Sequence, residues 1–215
     1  MSASVIFRAG VAALAWFALG LQYGLLVGDP GPPGPLVSTL NFFSYFTILT
    51  NILVAVAMTL ALTPGEQGLA GFFKRAQTRA AIALYIAVVA GVYVVVLRHL
   101  WDPQGWRLLA DRLLHYALPA LYLVDWAVLA PKGALRFRQA AVWLAYPAAF
   151  GAYALARGAI DGFYPYPFLD AGALGYGPVL ANVAGLLALF AGGGAGVVAL
   201  GRAFDRNRRL QGERP

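Results

Sequence analysis

The sequence predicts an all-α, polytopic membrane protein with six transmembrane helices and both termini cytoplasmic. Three observations carry that prediction. Of 215 residues, 60% are apolar and 12% charged, against about 45–50% and about 25% in soluble domains. Six apolar runs, at 9–27, 37–62, 80–100, 113–130, 140–156 and 175–200, approach or exceed the about 20 residues that a helix needs to cross a bilayer. The cations are unevenly shared between the two sets of connecting segments. Arg8, Lys74, Arg75, Arg79, Lys132, Arg136, Arg138, Arg202, Arg206, Arg208, Arg209 and Arg214 fall on one side, and only Arg98, Arg107, Arg112 and Arg157 on the other. Twelve against four assigns the first side to the cytoplasm, because Lys and Arg are retained there.

The runs are apolar on every face, which favours spanning helices over barrel strands, where polar and apolar residues alternate. The first run is too long for the apolar core of a secretory signal and reads as a mature helix. Gly28 to Pro35, with four prolines and three glycines, reads as a stiff outer turn, because proline cannot continue a helix interior. The second run is the most polar. The fourth contains His115 and Asp125, with Asp111 two residues before it, and Pro131 ends it. The sixth carries Gly192, Gly193, Gly194 and Gly196, and Gly192-x-x-x-Gly196 permits close helix packing, expected inside the subunit rather than between subunits. The segment 202–215 is a basic cytoplasmic tail. The whole chain reads as one domain in a cell (inner) membrane, with the lipid bilayer as its first partner. Nothing in it points to nucleic acid. With no cysteine and two histidines, neither thiolate zinc sites nor a His-only metal cage are expected, so no metal or cofactor is assigned.

Polar groups inside a bilayer are costly and need a partner or a purpose. Asn41, Ser44, Thr47 and Asn51 recur at three- and four-residue spacing at the start of the second run, so they share one helix face. Interhelical hydrogen bonding is the structural explanation of such a stripe. At the entry to the fourth run Asp111 and His115 are four apart, which lets the carboxylate orient the imidazole. Ser44 and His115 each lie one to two turns inside the same interface. A hydroxyl is a weak nucleophile until a base removes its proton, and His is the usual base near neutral pH, so matched depth raises the expectation of a hydroxyl–imidazole pair. His99, beside Arg98, reads as interface decoration. Asp125, about 15 Å deeper along the helix than His115, reads as a structural ion pair or a water contact. Gly162 to Asp170, with two prolines and four aromatics, reads as an ordered cap or an aromatic belt.

Three segments, Phe42-Phe43-Ser44-Tyr45-Phe46-Thr47, His115 to Pro119, and Tyr166-Pro167-Phe168-Leu169, together resemble the Pr6Pr family of six-helix bacterial membrane proteins. More distantly they resemble the androgen-induced/androgen-dependent membrane hydrolases, which cleave branched fatty-acid esters of hydroxy fatty acids with a Thr–His pair. The resemblance implies a metal-independent lipid-ester hydrolase. It places Ser44 at the family's Thr position and His115 as the base, with Thr47 or Thr50 as rival nucleophiles. Asp111 would support His115, Asn41 or Asn51 would donate to the oxyanion, and Tyr164, Tyr166, Pro167, Phe168, Arg98 and Arg112 would contact a lipid-like substrate. The competing expectation is a non-enzymatic carrier or scaffold whose polar stripe is structural.

Overall fold

A computed structural model describes residues 2–29, 34–132 and 135–210, with side chains given through residue 206. Every described regular element is helical. Pro30 to Pro33 of the proline-rich turn, and the tail from residue 211 with Arg214, lie outside the described residues, as do the side chains of Arg208 and Arg209.

Helix α1 (Ala3–Gly28) is a single uncharged rod apart from Arg8. The second apolar run is two helices, α2 (Gly34–Phe42) and α3 (Phe46–Leu60), bent by 68°. No proline or glycine lies at the break. Ser44 Oγ instead donates to the Leu40 carbonyl four residues back, at 2.7 Å, and this back-bonding competes with the main-chain ladder. A short α4 (Gly68–Lys74) turns the chain into α5 (Ala76–Val92), which ends in a π turn, Tyr93–Leu97.

The fourth run is longer than its apolar window. It opens eight residues earlier as α6 (Gly105–Arg112), then passes through a π turn (Leu113–Ala117), α7 (Leu118–Val124) and a second π turn (Asp125–Leu129). Arg107, Asp111 and Arg112 hide α6 from a hydropathy window although it is helical. The fifth run is α8 (Phe137–Trp143) and α9 (Ala145–Asp161). The interruption at Leu144 follows from Pro147, which has no N–H for the carbonyl of Trp143. The Tyr85 hydroxyl takes that carbonyl at 2.8 Å. Gly162, at φ 76, closes α9 in the left-handed cap conformation. A 3₁₀ turn (Pro167–Leu169) and α10 (Ala171–Leu174), whose N-cap Asp170 accepts from the Ala173 N–H at 3.0 Å, lead into the 35-residue α11 (Tyr176–Leu210).

Three of these helices (3–28, 76–97 and 176–206) are long and apolar enough to cross a membrane, and the bent pair α2–α3 makes a fourth if it is one span. α3 and α5 are central, α1 packs on α3, and α11 lies against α5 and α8. An aromatic knot of Phe46, Tyr85, Tyr146, Phe150 and Phe190 joins α3, α5, α9 and α11, with ring centroids 4.8–6.5 Å apart.

Two expectations need correction. The close approach of α11 does not use Gly192 and Gly196, which are exposed with open space beside them. It uses Gly193 and Gly194, where a Cβ would stand 2.8 Å from Leu84 Cδ1 and 3.1 Å from the Ala140 Cβ. Arg79 is not a loop cation either. It lies inside α5, 2% exposed, and pairs with the fully buried Asp125, which also accepts from Arg8 Nε at 2.7 Å. Asp125 is thus the structural ion pair expected of it.

Candidate active site

A cavity of about 450 Å³ opens at the end of the bundle where Asp29, Trp101 and Pro165 converge. Its wall includes Tyr45, Thr47, Tyr93, Asp111, His115, Tyr166 and Pro167. The expected orienting pair is present: His115 Nδ1 lies 3.1 Å from Asp111 Oδ1, and Asp111 is 4% exposed. An Nδ1–H that donates to this carboxylate leaves Nε2 as the ring's lone-pair acceptor, the arrangement of an oriented general base. Tyr93 completes the group. Its ring stacks on the imidazole with centroids 3.8 Å apart at 12°, and its hydroxyl donates to Asp111 Oδ2 at 2.8 Å. Tyr93 and His115 both lie in π turns, a distortion often found at functional sites.

Thr47 lies on the same cavity wall, in the first turn of α3. Its N–H donates to the Tyr166 hydroxyl at 3.3 Å. Burial pushes the Tyr166 phenol up to about 12, with the Thr47 hydrogen bonds opposing that rise, so it stays protonated near neutral pH. Asn51, one turn on, spans the gap between the helices. Its Nδ2 donates to the carbonyls of Thr47 (2.9 Å) and Leu114 (3.2 Å). The Leu114 carbonyl is free for this because Pro119, five residues on, has no N–H to offer it in the π register.

Ser44 is placed elsewhere. It is fully buried at the α2–α3 break, and its oxygen accepts from the Tyr153 hydroxyl (2.7 Å) and from the Arg157 guanidinium while its proton goes to Leu40. Arg157 also donates to the Leu40 carbonyl (3.1 Å) and to Asn41 Oδ1 (2.5 Å), and pairs with Asp161 (3.0 Å). Ser44, Asn41, Tyr153 and Arg157 therefore close the broken helix, and Ser44 meets none of the His115 group. Matched depth did not bring the two together: Ser44 turns to Tyr153 and Arg157 of α9, whereas His115 borders the cavity. Thr50 bonds the Tyr146 hydroxyl at 3.4 Å, in the aromatic knot.

The cap segment divides as well. Tyr166 and Pro167 border the cavity, Phe168 stacks on Tyr166 (5.1 Å, 4°), and Tyr164 packs on Gly158 outside it. Arg98 and Arg112 are exposed and border no part of the cavity wall, and Arg98 bonds His99 at 2.9 Å. The cation at the rim is Arg107, 3.2 Å from Asp29. Asp161, at the end of α9, is held below the ordinary 3.8, first by the Phe163 N–H and then by Arg157. Sequence reasoning missed Tyr93, Tyr153 and Arg157. Tyr93 had a signal, a phenol inside an otherwise aliphatic run; the other two needed the fold. Among the described residues, no group of three His, Cys, Asp or Glu could hold a metal ion. No family model matches this chain, no curated protein matches it, and no solved structure matches its fold.

Proposed function

We propose that the protein is a lipid-ester hydrolase of the cell (inner) membrane, with six spans and cytoplasmic termini, in which Thr47 is the nucleophile and His115 the base. The observation that supports it is the cavity wall: a hydroxyl and a carboxylate-oriented imidazole border one space, and Asn51 ties their two helices together. Thr47 replaces Ser44 because Ser44 is fully engaged at the helix break.

In the proposed reaction, His115 Nε2 takes the Thr47 hydroxyl proton as Oγ attacks the ester carbonyl. The tetrahedral intermediate collapses when His115 returns that proton to the leaving alcohol oxygen, which leaves an acyl–Thr47 ester. Water then attacks the acyl carbonyl, giving a proton to His115, and the acid departs as Oγ regains its proton. Asp111 keeps Nδ1 as the donor and stabilises the imidazolium. The protonated Tyr166 phenol, already bonded to Thr47, is the oxyanion donor, in place of Asn41, which is held by Arg157.

The test is hydrolysis of a p-nitrophenyl ester by purified protein and its variants. Thr47→Ala and His115→Ala should each lower kcat by about 10²-fold or more. Ser44→Ala should lower the melting temperature and leave most of the turnover. Turnover that survives Thr47→Ala but is lost in a folded Ser44→Ala protein overturns the assignment. A carrier is the second reading, since a cavity and a stacked cap also suit passive binding. It predicts bound lipid with no turnover in the wild-type protein.

A further inference from the structure

A second, smaller cavity of about 70 Å³ lies between α5, α9 and α11. Thr47 and Tyr166 belong to the walls of both cavities. Beyond those two residues the smaller wall is entirely apolar, with Phe150, Gly151, Val183 and Phe190 among its members. The larger cavity, by contrast, has Asp111, His115 and Arg107 in its wall. Thr47 therefore stands between two spaces with largely apolar walls, of which only the larger also holds charged groups, the base among them.

We infer that the two arms of the ester are sorted by this partition: the acyl chain enters the apolar cavity beside Gly151 and Val183, and the alcohol arm occupies the cavity of His115. The inference rests on the Thr47–His115 reading of the site. Its logic is the path of the proton. His115 must protonate the leaving alcohol oxygen, so that oxygen lies on the His115 side of the carbonyl carbon when the carbon–oxygen bond breaks. The acyl substituent, on the far side of Thr47 Oγ, then points to the apolar wall. The substrate class follows from the two volumes: an ester with a short unbranched apolar acyl chain, since about 70 Å³ holds only a few carbon atoms, whose alcohol part is larger and can carry polar groups. The acyl–Thr47 intermediate keeps its chain in the apolar cavity while the alcohol leaves and water enters from the Asp29 end.

Gly151 is the residue with which to test the length rule. A Cβ there would meet only Val183 Cγ1, at 3.9 Å, so the helix accepts a side chain that grows into the cavity. With Gly151→Leu, the kcat/KM ratio of p-nitrophenyl butanoate to p-nitrophenyl acetate should fall about tenfold or more. The ratio of decyl acetate to ethyl acetate should hold within about twofold. A fall in the second ratio and not the first would reverse the assignment of the arms. The placement is also read without mutating the wall. Two versions of one ester, with a diazirine at the acyl end or at the alcohol end, are photolysed on the full chain, as wild type and as Thr47→Ala. The acyl-end diazirine should mark 147–151 and 183–190, and the alcohol-end diazirine 100–101 and 107–115. The opposite pattern, or the same peptides from both, overturns the inference. Turnover that persists in Thr47→Ala overturns the nucleophile instead, and the labelled peptides still decide where each arm lies.

Discussion

Asn51 reaches across the bundle to Leu114: its Nδ2 donates to the Leu114 carbonyl at 3.2 Å while it holds its own helix at Thr47. One amide thus fixes the distance between the turn that carries the proposed nucleophile and the turn that carries His115. Asn51 is fully buried, and its Oδ1 has no hydrogen-bond partner. Asn51→Leu removes that unsatisfied oxygen but orphans the Leu114 carbonyl, at about 1–3 kcal/mol. The expected result is a modest loss of stability with a larger loss of kcat than of KM. A kcat equal to wild type would remove Asn51 from the positioning of the site.

Asp111 should matter through His115 rather than through substrate. Asp111→Asn keeps the volume and leaves the Asp111 main-chain carbonyl 3.1 Å from Nδ1, but it removes the charge that stabilises the imidazolium, and the Tyr93 hydroxyl loses its carboxylate. Turnover should fall by about 10²-fold or more with little change in KM. Equal falls in Tyr93→Phe and Asp111→Asn would shift the role of orienting group to the pair. An Asp111→Asn protein with full turnover would exclude the carboxylate from the mechanism.

At the other end, Asp125 sits between Arg79 and Arg8, with Arg79 Nη1 also donating to the Ala57 carbonyl at 3.2 Å. Removing one member of a buried pair strands the other charge, at about 3–5 kcal/mol. Asp125→Ala should therefore lower the melting temperature sharply, and the double variant Asp125→Leu/Arg79→Met should recover much of it. A double variant no better than the single would show that the cluster does more than neutralise itself.

The candidate site was half legible in the sequence. The spacing of Asp111 and His115 fixes their contact on any helix, and the apolar runs locate the helical segments. What the residues did not announce was the geometry at the breaks. Ser44 and Thr47 look equivalent on one continuous helix face, and only the 68° bend sends one to Arg157 and the other to the cavity. The π turns at Tyr93–Leu97 and Leu113–Ala117 are invisible to composition, because a fifth-residue register uses the same apolar side chains. The Gly193–Gly194 contact with Leu84 and Ala140 depends on which face α11 presents, and a glycine-rich stretch alone does not choose it.

The cap should be sensitive to a single methyl group. A Cβ on Gly158 would stand 2.0 Å from the Tyr164 ring, so Gly158→Ala must displace Tyr164 and the chain that leads to Tyr166. The expected outcome is faster proteolysis within 162–170 and weaker lipid binding. Tyr164→Ala in the same protein should relieve part of the defect. No change in either measurement would mean that the segment moves independently of the cavity.

Asp161 gives that same segment a pH dependence of known sign. Its folded value lies below the ordinary 3.8 because the Phe163 N–H and Arg157 favour the carboxylate. Its tie to Phe163 is thus fully present above the ordinary value and is lost as pH falls through the folded one. Amide exchange at Phe163, corrected for intrinsic rates, should be flat between about pH 7 and about pH 5 and rise only in stronger acid. A rise centred between those two values would assign the tie to another group.

Whether Thr47 or Ser44 attacks the ester is read from the site of covalent modification. Wild-type protein treated with an alkyl fluorophosphonate and digested should carry one phosphonyl adduct, on Thr47. Thr47→Ala should abolish that adduct, His115→Ala should slow its formation by about 10²-fold, and Ser44→Ala should leave it in place. An adduct on Ser44 or Thr50, or a folded protein that takes none while it binds the reagent's alkyl chain, would contradict the mechanism.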